Sequence, residues 1–302
     1  MEPKTTIVTS MYNRKPEVLE TIDKLFFPSL LHNGNKSIGI IIIDDCSPLR
    51  EETENLVYRY LPFLKNVFAF ATFVRNESNL GFAKSFNRGI NMTNTKNIVI
   101  ANDDLYFPFG SIEKLVNTLS EPANYGLVGP ISNSPIMWSF QYAKQAPRIK
   151  SYSIKEFDKL EAFSLLLTKK MPSRRTTTDH HLCGFCFAAN TAFLKEFDGF
   201  DERYEYGTFE DTDLVARILK KYGKAKLGIN MEVFIGHGGV GGNSKTLFQQ
   251  PMKMVYHNLL NSYIFFKRWG FKKYLKILLF GLQSQRNGKG TISELLPGNI
   301  KF

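Results

Sequence analysis

The chain has 302 residues, 43% of them hydrophobic and 22% charged, with 39 Lys and Arg against 28 Asp and Glu for a formal charge of +11. This composition excludes a disordered chain, and the length suits one large α/β domain or a domain with a helical appendage. Three cysteines, Cys46, Cys183 and Cys186, argue against a disulfide framework, and no run reaches the roughly 18 apolar residues of a membrane span. The opening MEPKTTIVTS lacks the apolar core of a signal peptide, so a reducing cytoplasm is expected. The basic surplus attracts anions, whether nucleic acid, anionic lipid or phosphorylated substrates, and only its placement can choose among them.

Residues 5–9 (TTIVT) form a short β-rich run, followed by a turn at Asn13-Arg14-Lys15-Pro16 and a helical pattern through Leu25 and Phe26. Residues 38–43 are almost wholly aliphatic, as in a strand buried on both faces. They stop at Asp44-Asp45-Cys46-Ser47-Pro48, a loop with N-cap residues. The pattern then predicts a helix over 51–61, a strand over 67–74, a helix over 82–92, a strand over 98–101 and a helix over 111–119. Residues 131–178, rich in Pro, Ser, Thr, Lys and Arg, read as loops and short helices. Beyond them come a strand over 182–189, a short helix over 192–197, a helix over 212–222 closed by Gly223, and a short strand over 233–235. The β-α-β-α rhythm implies an α/β fold with a mostly parallel sheet flanked by helices. Ligands of such sheets bind beyond the carboxyl ends of the strands, where Tyr12-Asn13, Asp44-Asp45 and Asn102-Asp103-Asp104 converge.

Each polar cluster has a functional and a bland reading. Asp103-Asp104 either holds a hard divalent cation together with a nucleotide diphosphate or is an acidic turn. Asp44-Asp45 either accepts hydrogen bonds from ribose or base, or caps the next helix with Ser47. The backbone of Asn79-Leu80-Gly81 either faces a phosphate or sugar, or makes a tight capped turn. Among Glu210, Asp211 and Asp213, one carboxylate can take a proton from an attacking hydroxyl, and all three also favour the helix dipole. His237, ahead of the Gly-rich residues 238–242, can complete a metal shell or sit in a surface loop. Cys183-Gly184-Phe185-Cys186, with His180 and His181 nearby, is too tightly spaced for a usual zinc finger and reads as structural cysteines in a buried strand, with a metal site and redox chemistry as the alternatives.

In order and spacing, these segments resemble the inverting GT-A glycosyltransferases of family 2 over roughly residues 5 to 244. The matching stretches are IVTSMYNR (7–14), IIIDDCSP (41–48), NLGFAKSFNRGI (79–90), VIANDDLYF (99–107), residues 183–223 and HGGVGGNS (237–244). The resemblance implies a GT-A fold over 1–250, with a nucleotide-binding half over 1–105 and an acceptor and catalytic half over 106–250. It further implies a nucleotide-sugar site built from Ser10, Tyr12, Asn13, Arg14, Asp44, Asp45, Asn79, Gly81, Lys84, Asn102 and Asp103. Asn102 departs from the family's Asp-x-Asp motif at its first acid. Asp104 and His237 would hold Mn2+ or Mg2+, and Asp211 would be the catalytic base, with Gly184, Phe185 and Glu210 on the acceptor side. The implied reaction moves a sugar from a UDP donor, or a dTDP donor, to a hydroxyl of a glycan or lipid-linked acceptor, in surface-polysaccharide or glycoconjugate synthesis.

Residues 251–302 lie outside the resemblance and form a basic, aromatic, helical extension. Lys267, Arg268, Lys272, Lys273 and Lys276 alternate with Phe265, Phe266, Trp269, Phe271, Tyr274 and Leu278. That mixture suits an interfacial helix on the cytoplasmic face of an anionic membrane; packing on the catalytic domain and an oligomer contact are the alternatives. A nucleic-acid-binding protein is the weaker alternative class, because the Lys/Arg and aromatic clustering is confined to this tail while the candidate site is acidic. A sugar nucleotidyltransferase is weaker too, because TSMYNRK is no phosphate-cradling loop.

Overall fold

The computed structural model describes residues 2–133, 140–178, 182–205, 207–238, 251–287 and 292–296. The first half alternates as expected. β1 (Thr5–Met11) leads to α1 (Pro16–Thr21), a π-helical turn (Ile22–Phe26) and α2 (Phe27–Leu31). Then follow β2 (Ile38–Asp44), α3 (Arg50–Val67), β3 (Ala71–Arg75), α4 (Phe82–Met92) and β4 (Asn97–Asn102). The second half holds β5 (Leu105–Tyr106), α5 (Ser111–Asn117), β6 (Leu127–Ile131), α6 (Ile154–Lys170), β7 (Arg175–Thr177) and β8 (Cys186–Asn190). It continues with α7 (Thr191–Glu196), α8 (Glu210–Tyr222), β9 (Leu227–Phe234) and β10 (Gly236–His237), before α9 (Pro251–Trp269) and α10 (Phe271–Asn287).

The main sheet runs in the order β3-β2-β1-β4-β8-β6-β9-β7. Pairing is parallel from β3 to β4 and between β6 and β9, while β8 runs antiparallel to both its neighbours and β7 to β9. Because side chains alternate across a strand, β1 and β2 feed two cores at once. Ile7, Ile40 and Ile42 pack with Leu30, Leu56 and Leu64 on one face. Val8, Ile41 and Ile43 pack with Phe86 and Ile90 of α4 on the other. A strand apolar on both faces reads as a continuous aliphatic run, which is why β2 was plain in the sequence. Gly89 lets α4 approach β1 closely: a Cβ there would lie 2.2 Å from Val8 Cγ1.

The structure corrects several boundaries. α3 continues through Pro62 to Val67, and the third strand begins only at Ala71. Proline tolerates this place because the carbonyl left without its donor belongs to Tyr58, on the solvent side, while Leu56, Val57 and Leu64 hold the opposite face in the core. Residues 131–178 contain a 17-residue helix, α6, rather than only loops and short helices, and its Leu160, Phe163, Ser164 and Leu167 form the buried stripe. β8 starts at Cys186, four residues later than expected. β9 starts at Leu227, six residues earlier than expected. Buried Asn230 disguised that strand; its amide donates to Thr118 Oγ1 (2.7 Å) and its oxygen accepts from Arg175 (2.9 Å).

Candidate active site

The sheet register assembles the site. Met11 lies beside Asp44, and Ser10 beside Asn102, so the ends of β1, β2 and β4 form one edge. Tyr12, Arg14, Ser10 and Asn102 are half-buried there, Lys84 is exposed, and Asn13 is buried. The Arg14 guanidinium lies 4.6 Å over the Tyr12 ring. Asn13 donates from its backbone to Ser47 Oγ (2.8 Å) and from its amide to Thr53 Oγ1 (3.1 Å), while its side-chain oxygen is buried without a hydrogen-bond partner.

The two acids at the end of β2 have separate tasks. Asp44 is fully buried, ion-paired with Arg75, and accepts from the Ser47 backbone N–H at 3.0 Å. Asp45 accepts from the backbone N–H groups of Leu80 (2.8 Å) and Gly81 (2.9 Å) and from the Asn76 amide (2.8 Å). The donors of the Asn79-Leu80-Gly81 turn therefore face this carboxylate. Gly81, at φ 81°, takes a conformation that favours glycine where the chain enters α4. Arg75, Asn76 and Ser47 were missed as site residues, although Arg75 and Asn76 directly follow the third predicted strand.

Asp104 and His237 meet through a short ladder. β5 pairs antiparallel with β10, setting His237 opposite Leu105 and thus next to Asp104. His237 Nε2 lies 3.4 Å from Asp104 Oδ1, and that oxygen is buried without a hydrogen-bond partner. The His237 backbone N–H donates to Asn133 (2.8 Å), and its ring stacks on Phe185 with centroids 4.9 Å apart. A buried carboxylate oxygen left without a donor, beside an imidazole nitrogen, fits a divalent cation, since leaving such an oxygen unpaired is otherwise costly. Among the described residues no group of three or more His, Cys, Asp or Glu could hold a metal ion. Residues 239–244 of the Gly-rich segment, and His180 and His181, lie outside the described residues.

Asp211 opens α8. Its Oδ2 accepts from the Gly184 N–H (2.8 Å), and its Oδ1 from the backbone and hydroxyl of Thr212 (2.6 and 3.1 Å). A Cβ on Gly184 would sit 3.1 Å from Asp211 Cβ, so glycine permits this approach. Glu210 is buried with Oε2 unpartnered; burial, reinforced by the Asp211 charge, pushes its carboxyl well above the usual range. Burial likewise raises the Cys183 and Cys186 thiols, and both are free, as structural cysteines would be. Residues 182–185 are a turn rather than strand, and this turn reaches both halves of the site. Its Gly184 N–H holds Asp211, its Phe185 carbonyl accepts from the Asn102 N–H (2.9 Å), and its Phe185 ring lies on His237.

Two residues beyond Asp211, Asp213 is fully buried and anchors the C-terminal extension. It accepts from Arg217 (2.7 Å), the Trp269 indole (2.8 Å), Tyr204 (3.3 Å) and Arg268 (3.3 Å). Asn261 of α9 donates to the carbonyls of Glu205 (2.6 Å) and Thr208 (3.0 Å), on the loop entering α8. Phe209, which ends that loop at φ 71°, has its ring against Phe265 and Tyr274. Sequence reasoning named Trp269 and allowed the tail to pack on the domain, but it did not give the Asn261 and Trp269 hydrogen bonds, because their partners lie over 50 residues away.

The glycosyl transferase family 2 model matches residues 6–198, a span that includes Asp44, Asp104 and Gly184 but ends before Asp211 and His237. A Haemophilus influenzae protein described as an uncharacterized glycosyltransferase is 27% identical over 142 residues, 46% of this chain. The match spans only 43% of that protein's length. Among solved structures, mannosyltransferase PcManGT from Pyrobaculum calidifontis in complex with GDP-Man and Mn2+ superposes with a TM-score of 0.53 at 13% identity. That alignment covers 95% of this chain and 76% of that one. GalNAc-T7 with UDP, GalNAc and Mn2+ superposes with a TM-score of 0.51 at 14% identity, over 78% of this chain and 44% of that one. At such identities the two structures establish the GT-A-like fold.

Proposed function

Because the chain belongs to glycosyl transferase family 2, we propose that it moves a sugar from a nucleoside diphosphate donor to an acceptor hydroxyl, inverting the anomeric centre. The observation that carries this reading is the turn at 183–185, which joins the Asp104–His237 pair to Asp211. A cation site and a carboxylate base held on one rigid connector are what a displacement with a diphosphate leaving group requires.

In that reaction the acceptor hydroxyl gives its proton to Asp211 while its oxygen bonds the anomeric carbon. The bond from that carbon to the diphosphate oxygen breaks on the opposite face, and its electron pair leaves with the diphosphate. Gly184 and Thr212 orient the Asp211 carboxylate. Mn2+ or Mg2+ bound by Asp104 and His237 would supply charge stabilisation to the leaving group. The edge formed by Ser10, Tyr12, Asn13, Arg14, Asn102 and Asp103 would take the nucleoside. UDP is the favoured donor nucleotide and dTDP the second. A glycan or lipid-linked glycan is the acceptor, with residues 251–302 at the cytoplasmic face of a membrane.

Two variants test the assignment. Asp211→Asn should lose about 10²–10⁴-fold in turnover while binding the nucleotide normally. Asp104→Ala should weaken manganese-dependent UDP or dTDP binding in a thermal-shift titration. Parental turnover in the first variant, or unchanged metal-dependent binding in the second, would remove the corresponding role.

A further inference from the structure

α9 has two faces with different commitments. Asn261, Phe265 and Trp269 face inward: Asn261 and Phe265 are fully buried, and Trp269 donates to Asp213. The opposite side carries Val255, Tyr256, Leu259, Tyr263 and Phe266, between 39% and 66% exposed. At about 100° per residue these five fall within one arc of about 100°, its centre about 130° round the helix from that of the buried stripe. Phe271, 62% exposed, continues the row onto α10, its ring 6.5 Å from that of Phe266. Such a row of exposed apolar side chains is unusual for a surface without a partner.

The charges identify that partner. Residues 251–287 contain seven Lys and Arg and no Asp or Glu. Two of these cations are turned inward: Arg268 pairs with Asp201 (2.6 Å) and Asp213, and half-buried Lys273 lies 4.2 Å over Trp269. Lys267, Lys272 and Lys276 are exposed beside the aromatic row, with Lys267 5.6 Å over the Tyr263 ring. An apolar strip flanked by cations and lacking any acid matches an anionic lipid surface, with rings at the headgroup level and ammonium groups at the phosphates.

We propose that the outward face of α9, continued by Phe271 of α10, docks on an anionic membrane while the inward face stays fixed to the catalytic helix. Packing on the domain and lipid contact thus occupy opposite sides of one helix. The proposal deepens the glycosyl-transfer reading by placing an acceptor in the lipid plane, and it rests on that reading only for this consequence. The bonds from Asn261 to residues 205 and 208, and from Trp269 to Asp213, keep the docking face at a fixed distance from Asp211.

The test uses the full chain and vesicles of phosphatidylcholine alone or mixed with phosphatidylglycerol. Co-sedimentation should require the anionic lipid and weaken as salt rises. Leu259→Ser/Tyr263→Ser/Phe266→Ser should lower partitioning at least about tenfold, with an unchanged far-ultraviolet spectrum because these side chains are exposed. Lys267→Glu/Lys272→Glu should remove most of the salt-dependent part. No sedimentation of the parent at low salt, or equal sedimentation of the triple variant, overturns the proposal. So does a parental self-association in analytical ultracentrifugation that the triple variant abolishes, since the face would then be a contact between copies. Manganese-dependent UDP binding, measured in parallel, reports on the donor site alone. If neither this nor manganese-dependent dTDP binding is found while vesicle binding persists, the transfer reading fails and the docking face stands.

Discussion

Glu210 and Gly184 form the immediate surroundings of the Asp211 carboxylate. Glu210 is a buried acid whose folded-state proton affinity is raised by burial and by the adjacent carboxylate. A raised carboxyl pKa contributes stability that is complete below the unfolded value, near 4.3, and is lost as pH rises toward the folded value. Glu210→Gln should therefore melt at the parental temperature near pH 4 and above it at pH 7 to 8. Parallel melting curves across that range would mean that Glu210 ionises freely. Gly184→Ala should act on the rate instead, because its methyl would press on Asp211 at 3.1 Å. With Asp211 in its proposed role as base, such a displacement should cost about 10²-fold in turnover, with donor binding unchanged. Equal kcat in the alanine variant would show that the turn yields without moving the carboxylate. The residue types of Asp104, Asp211 and His237 were legible in the sequence; the stacking of Phe185 on His237 was not, since 52 residues separate them.

At the scale of elements, the entry to α8 depends on α9. Phe209 adopts a left-handed conformation that costs a non-glycine residue about 1–3 kcal/mol, and neighbouring structure must hold it. Asn261 donates to the Glu205 and Thr208 carbonyls and to Thr208 Oγ1 of that loop and accepts from the Glu205 N–H, and Phe265 and Tyr274 enclose the ring. Trp269→Phe keeps an aromatic ring but removes a donor from fully buried Asp213, so it should destabilise the fold by about 1–3 kcal/mol in urea unfolding. Arg268→Ala should cost less, because Arg268 is one-third exposed and its contact with Asp213 is longer. Equal losses from the two would imply that the ion pair, rather than the indole, anchors the extension. α6 carries a related lesson: its buried positions 160, 163, 164 and 167 follow helical spacing, but the flanking Pro, Ser, Thr and basic residues outweighed that signal.

For the whole molecule, the alternation of aliphatic runs with amphipathic segments determined the α/β class, because a strand buried on both faces and a helix buried on one leave different periods in the sequence. The same reading placed the acids at the carboxyl edge of the sheet, since ligands there follow from strand direction alone. It also separated residues 251–302 as a unit of different composition. It did not show that β8 enters antiparallel between β4 and β6, because pairing partners and register are set by contacts between distant segments. Nor did it distinguish Asp44, locked to Arg75, from Asp45, which clamps the turn before α4, since both are acids at one strand end. The tail was read as having alternative partners, and the structure gives its two faces separate surroundings. Sequence determines which residues must leave water and which carry charge. Only tertiary structure decides which of them meet, because a close approach such as that of His237 to Asp104 depends on many weak contacts acting together.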